Sequence, residues 1–158
     1  MNIVRQPHIY KEYAIEFRVP VNTQLKRVEV NGAEVKCTTN KRGYVTVKRT
    51  WKPGDRMRIV LDYRLRADIQ SGVNGKKWVA FSYGPLALAQ RITADENPEP
   101  FAGMALDTPE ARKALLARFE KRISDGVPHF TVGNTGVVLM PYSYAGSKES
   151  GPRTYFAL

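Results

Sequence analysis

Three residues come first when the chain is searched for chemistry: His8, His129 and the single Cys37. A zinc centre needs three or four His, Cys or carboxylate ligands at close spacing. These three stand far apart, so no metal site and no cofactor is expected. Cys37 lies near Lys36, Lys41 and Arg42, and neighbouring cations can lower a thiol pKa. No base partner is visible beside it, so it reads as inert. Asp95, Glu96 and Glu99 are the closest carboxylates. Glycoside hydrolysis uses two carboxyls about 5–9.5 Å apart, but these three fall in the Pro-rich run Ala94–Pro100, which reads as a solvated loop. Gly72-Val73-Asn74-Gly75 is too short to cradle a phosphate. No Ser/His/Asp arrangement is present, so no catalytic residue is nominated.

The aromatics carry more information. Tyr44, Trp51, Tyr63, Trp78, Phe81, Tyr83, Tyr142, Tyr144 and Tyr155 fall on or beside apolar, alternating stretches. Such residues mostly fill a core. Tyr142 and Tyr144, which flank Ser143 just after Pro141, are the pair expected at the surface. They are the candidate carbohydrate-binding residues.

Charge narrows the partners. There are 25 Lys/Arg against 15 Asp/Glu, a net of +10. Residues 1–66 hold 15 against 6, and residues 67–158 hold 10 against 9. A basic half can meet a polyanion. Here the cations are spread over several turns and strands, and no nucleic-acid motif organises them. Nucleic acid is therefore disfavoured as a partner. No apolar run approaches the roughly 18 residues of a membrane span, and the start has no signal-peptide core. The chain is expected to be soluble, with no targeting signal to place it in a bacterial cytoplasm or periplasm. One cysteine excludes a disulfide-framed mini-domain.

The elements that must position these residues are mostly strands. Tyr13, Ile15, Phe17 and Val19 alternate with Ala14, Glu16 and Arg18, the period of a strand with one buried face. Val28 and Val30 precede Asn31-Gly32, a hairpin signal, and Val35–Thr38 returns. Tyr44–Trp51 is rich in β-formers. Pro53-Gly54-Asp55 marks a turn. Met57, Ile59, Leu61, Tyr63 and Leu65 then alternate as one strand. Trp78–Tyr83 and Leu86–Ala89 follow, and later His129–Val132, Val137–Met140 and Thr154–Leu158. Thr108-Pro109-Glu110 reads as a helix start. Ala111, Leu115, Phe119 and Ile123 follow at helical spacing, and Asp125-Gly126 reads as the stop. The expected fold is all-β: one antiparallel, jelly-roll-like β-sandwich over 1–158. A single helix around residues 108–123 sits in an insertion at 91–127.

The order of small motifs resembles a known family. Phe17-Arg18-Val19-Pro20 is similar to an "R-I-P" strand end, and Val30-Asn31-Gly32 to a "V-N-G" hairpin. Tyr44-Val45, Trp51, Gly54 and Asp55 resemble "Y-V-x-I-x-R-x-W-x-x-G-D". Ser82-Tyr83-Gly84-Pro85-Leu86 resembles a "Y/R-G-P-L-V" strand. Leu139-Met140-Pro141-Tyr142 and Thr154-Tyr155-Phe156 resemble an "L-x-P-Y … Y-T-V-Y-F" ending. Together they resemble the C-terminal β-sandwich of glycoside hydrolase family 127, the β-L-arabinofuranosidase-like (DUF1680-type) proteins.

The resemblance implies a non-catalytic piece of a longer, bacterial, sugar-degrading enzyme. The implied partner is an upstream (α/α)6 barrel of the same polypeptide, which would hold a cysteine nucleophile and zinc ligands. Cys37 matches none of those positions. Plant-type oligosaccharides are the implied substrates, with a homodimer contact as a further implied partner. A carbohydrate-binding module is the alternative, and a polyanion or nucleic-acid binder the third.

Overall fold

Asn31-Gly32 does what its residue types suggest. Both adopt positive φ, at 52° and 81°, and so close a tight turn whose twist matches the strands it joins. In the computed structural model, which describes residues 12–92, 99–133, 135–147 and 150–158, that turn joins strands in the first of two compact units. One unit ends at Arg64, and the other is Leu65–Leu158.

The first unit has five strands among the described residues: β1 (Glu12–Arg18), β2 (Thr23–Val30), β3 (Ala33–Val35), β4 (Tyr44–Thr50) and β5 (Met57–Tyr63). All pairings are antiparallel. β1 pairs β4, with Ile15 opposite Val47 and Arg18 opposite Tyr44. β2 lies between β3 and β5, with a bulge at Leu25/Arg27. Alternation decides the inner faces. Val28, Val30, Val47, Trp51 and Met57 are buried together, with Tyr13, Ile15, Phe17, Leu25 and Ile59 packed against them.

The second unit holds β6 (Leu65–Ser71), β7 (Lys77–Tyr83), β8 (Leu86–Ile92), helix α1 (Pro109–Leu116), β9 (Phe119–Ser124), β10 (Val127–Val132), β11 (Val138–Pro141), the one-turn helix α2 (Tyr142–Ala145), β12 (Gly151–Arg153) and β13 (Tyr155–Ala157). Its strands form one antiparallel sheet in the order β13-β7-β8-β11-β10-β9, with β6 also on β7 and β12 also on β8. Near their turn β7 and β8 pair with each other; farther out, β7 takes β13 and β8 takes β12. The closing segment thus fills the fork of the β7–β8 hairpin and carries Phe156 into the core. Phe81 is the hub of that core, within 5.1–6.0 Å of the Phe101, Phe119 and Phe156 rings.

The all-β, antiparallel expectation holds, with local corrections; the strand returning from Asn31-Gly32 is Ala33–Val35, so of the expected Val35–Thr38 only Val35 belongs to it. The helix starts as expected: the Thr108 hydroxyl accepts from the Ala111 N–H, and Pro109 is the first helical residue. It ends at Leu116, however, and does not reach residue 123. Phe119–Ser124 is an edge strand on β10. Asp125-Gly126, at φ 51° and 76°, is a hairpin turn and no helix stop. Phe119 and Ile123, four residues apart, fit a helical spacing and a strand's alternation alike, and pairing with β10 decides for the strand. The long alternation from Met57 also breaks after Tyr63. The Arg64 N–H donates to the Asn22 carbonyl at 3.1 Å, and a new strand, β6, begins at Leu65. No helix among the described residues is long and apolar enough to cross a membrane.

Candidate functional site

Tyr142 and Tyr144 are each 54 % exposed. Pro141 ends β11 and starts the single turn α2, which lifts both rings off the sheet. The turn is fastened from below. Arg91 on β8 donates to the Tyr144 carbonyl at 2.7 Å and to the Ala145 carbonyl at 3.2 Å, while Ala145 is buried. Residues two apart on a helix do not share a face, so the rings offer two separate contacts and no single flat platform. Tyr155 is 53 % exposed and Tyr44 39 %. Each stands one residue before a buried strand residue, Phe156 and Val45, so alternation places both on the outer face.

The residues first weighed for catalysis are dispersed. His129 lies on β10 with Nδ1 3.1 Å from the Val127 carbonyl oxygen. His8, Asp95 and Glu96 lie outside the described residues. Glu99 lies exposed in its loop, as expected, but is engaged there: it forms an ion pair with Arg153 and accepts from the Ala157 N–H at 3.2 Å. Arg153, whose side chain is 10 % exposed, also lies over the Phe156 ring. This clamp ties the closing strands to the loop that supplies Phe101. The thiol of Cys37 is pushed up in pKa, first by burial and then by Glu34. Both causes act in the same direction, against the thiolate, and Lys36, Lys41 and Arg42 are not among them. Among the described residues no group of three His, Cys, Asp or Glu is placed to hold a metal ion.

One motif carboxylate does have a built environment. Asp55, in the Gly54-Asp55 turn, is 7 % exposed. Its carboxylate accepts from Asn31 Nδ2 at 2.8 Å and from the Lys52 N–H at 2.9 Å, and Arg49 lies 3.8 Å away. Asn31 in turn accepts from the Arg56 N–H at 2.9 Å. The two motif residues cross-lock two turns and present nothing to a ligand. Asn31, then Lys52, hold the Asp55 carboxyl below the usual carboxylate range. A lowered folded-state pKa adds stability above the unfolded value, about 3.9. That stability is lost as pH falls through the lower folded value. The first unit is therefore expected to lose stability below about pH 4 in part through Asp55. Urea midpoints from pH 7 to pH 3 should fall less steeply for Asp55→Asn than for the unaltered chain; parallel curves would remove Asp55 from the acid response.

Two open grooves are lined by described residues. One, of about 450 Å³, runs between β6 and α1 and is lined by Leu65, Ile69 and Leu116 with Arg66, Arg112 and Lys113. Arg112 is committed to the Leu106 and Asp107 carbonyls, and Arg66 to Asp68. The other, of about 330 Å³, lies beside Cys37. The second is lined by both Cys37 and Glu34, and there burial and the Glu34 charge push the thiol pKa up.

Comparison with known proteins agrees with the motif resemblance. Residues 1–63 match the family model described as the middle domain of GH127 β-L-arabinofuranosidases. The resemblance read from the motifs was to that family's C-terminal sandwich; the matched region bears the name of its middle domain. No curated protein matches the chain. Solved structures match nearly all of it. A glycoside hydrolase aligns with 97 % of the chain at TM-score 0.56. A GH127 β-L-arabinofuranosidase from Geobacillus stearothermophilus aligns with 93 % at 0.57, and a GH127 β-arabinofuranosidase with 94 % at 0.56. Each is 16 % identical, so the likeness is one of fold. The chain spans 26–29 % of the length of these proteins.

Proposed function

We propose that residues 1–158 are a non-catalytic β-sandwich portion of a family-127-type glycoside hydrolase. The observation that supports this most is the combination of coverages: over nine-tenths of the chain fits about a quarter of much larger glycosidases, and its first 63 residues match that family's middle domain. Its work would be mechanical. It packs against an upstream catalytic barrel of the same polypeptide, covers the barrel's flank, and lends a loop to the cleft or to a dimer contact. The parent enzyme would act on plant-type oligosaccharides.

An antibody raised to the chain should detect, in extracts of its source, a product several times larger than 17.8 kDa. The purified chain alone should not hydrolyse aryl arabinofuranosides. A native product near 17.8 kDa, or turnover by the chain alone, would overturn the proposal.

A second reading is a carbohydrate-binding role for Tyr142 and Tyr144, supported by their exposure and by the Arg91 anchor under α2. Arabino-oligosaccharide affinity should then fall on Tyr142→Ala or Tyr144→Ala. No binding at millimolar sugar would remove this reading.

A further inference from the structure

Arg18, Lys41, Arg42 and Tyr44 are separate in the sequence and adjacent in the fold. Arg18 ends β1 directly opposite Tyr44, the first residue of β4. Such cross-strand neighbours have Cβ atoms about 4.5–5.5 Å apart. Lys41 and Arg42 form the turn that leads into Tyr44. That turn is rigidly built. The Asn40 side-chain oxygen accepts from the Arg42 and Tyr44 N–H groups at 2.9 and 3.0 Å. The Gly43 N–H donates to the Asn40 carbonyl at 2.9 Å, and the Val19 N–H to the Gly43 carbonyl at 2.8 Å. Gly43 adopts φ 81°, and its missing Cβ would stand 3.9 Å from Arg18 Cγ, so the Arg18 stem lies over the glycine.

The turn's backbone, Asn40 and Gly43 hold this geometry; the three charged heads do not take part. All three side chains are exposed, and among the described residues none has an ion-pair partner. The nearby acids are engaged elsewhere: Glu16 accepts from Thr46 at 3.0 Å and Glu12 pairs with Lys48 at 3.2 Å. Three like charges crowded at one strand end repel, and no ion pair among the described residues offsets them.

We propose that this cluster is a binding site for an acidic glycan, a uronate-bearing oligosaccharide. Arg18 and Arg42 offer planar forks that match a carboxylate with two hydrogen bonds each. Lys41 adds a mobile charge. The exposed, strand-anchored Tyr44 ring gives the C–H face of a sugar a flat surface beside those cations. A nucleic acid fits less well. It asks for a basic groove tracking a backbone over several nucleotides, with several stacking rings. Here the cluster is confined to one turn with one exposed ring, while Lys26, Arg27, Arg49 and Arg58 are in ion pairs.

The site stands apart from the family-127 reading, and each can fail without the other. Calorimetric titration of the 158-residue chain with oligogalacturonide tests it. The triple variant Arg18→Gln, Lys41→Gln, Arg42→Gln should bind about ten-fold more weakly or worse, and Tyr44→Ala severalfold more weakly. Methyl-esterified oligogalacturonide should bind as poorly as the triple variant sees the free acid. Gln keeps the Arg18 stem over Gly43, and matching urea midpoints would confirm that the variants fold. No binding by the unaltered chain would overturn the proposal. So would a triple variant that binds like the unaltered chain. Single-stranded DNA bound as tightly and indifferent to Tyr44→Ala would replace the site with a non-selective polyanion surface.

Discussion

Trp51→Ala is expected to cost the first unit about 3–5 kcal/mol, the range for deleting a fully buried large aromatic. Trp51 is inaccessible to solvent and packs with Val28, Val30, Val47 and Met57. Its indole N–H donates to the Tyr13 carbonyl at 3.1 Å, so the ring ties β1 to the end of β4 as well as filling space. Arg49 lies over its face at 5.2 Å. Small domains have little stability to spare, and about 5–15 kcal/mol is the usual total. Loss of Trp51 should therefore remove a large share of this unit's stability. Trp51→Phe keeps the apolar body and loses the N–H bond, and should fall between the two. The chain has two tryptophans, and Trp78 is half-buried on β7 of the other unit, so each unit has its own fluorescent reporter. In urea, Trp78→Phe isolates the first unit's signal. In Trp51→Ala, the Trp78 signal should show whether the second unit keeps its midpoint. A change in circular dichroism midpoint equivalent to less than about 1 kcal/mol would contradict the central place given to this ring.

Phe81→Ala should be as damaging to the second unit, again by about 3–5 kcal/mol. Phe81 meets Phe101, Phe119 and Phe156, which arrive from a loop, an edge strand and the closing strand. Phe101 and Phe156 also meet edge to face at 5.3 Å. Removing the hub leaves a cavity bounded by three rings whose backbones are held by different pairings, so collapse onto it is limited. Phe81→Leu should cost less, because part of the volume is restored. Tyr155→Ala is the control. Its side chain is largely in solvent beside the buried Phe156, and its loss should stay within about 0.5 kcal/mol. Urea denaturation followed through Trp78 measures all three, and equal effects of Phe81→Ala and Tyr155→Ala would refute the core assignment.

Much of the architecture is legible along the chain. Alternation located β1 and β5, because a strand's two faces are written two residues apart, and β-forming residue types located β4. Asn31-Gly32 announced its hairpin through the positive φ that those residues tolerate. Thr108-Pro109 announced the helix start through local capping. The exposure of Tyr142 and Tyr144 followed from Pro141, which cannot extend the strand as a donor. The motif order was enough to point at family 127, since it depends only on residue types and spacing.

What the tertiary structure decided is whatever depends on distant partners. Phe119–Ser124 fits helix and strand alike, and only the neighbouring β10 makes it a strand. Phe101 has no periodic companions, and its burial follows from Phe81 and Phe156. Asn31 and Asp55 are 24 residues apart, so their lock is invisible to any local pattern. The same holds for Glu99 with Arg153, and for Arg18 beside Tyr44. A residue's period is set by its own segment, whereas its partners are set by which segments pair. That pairing is selected by burying both inner faces at once, a free energy that belongs to the assembled sheets and to no stretch of sequence alone.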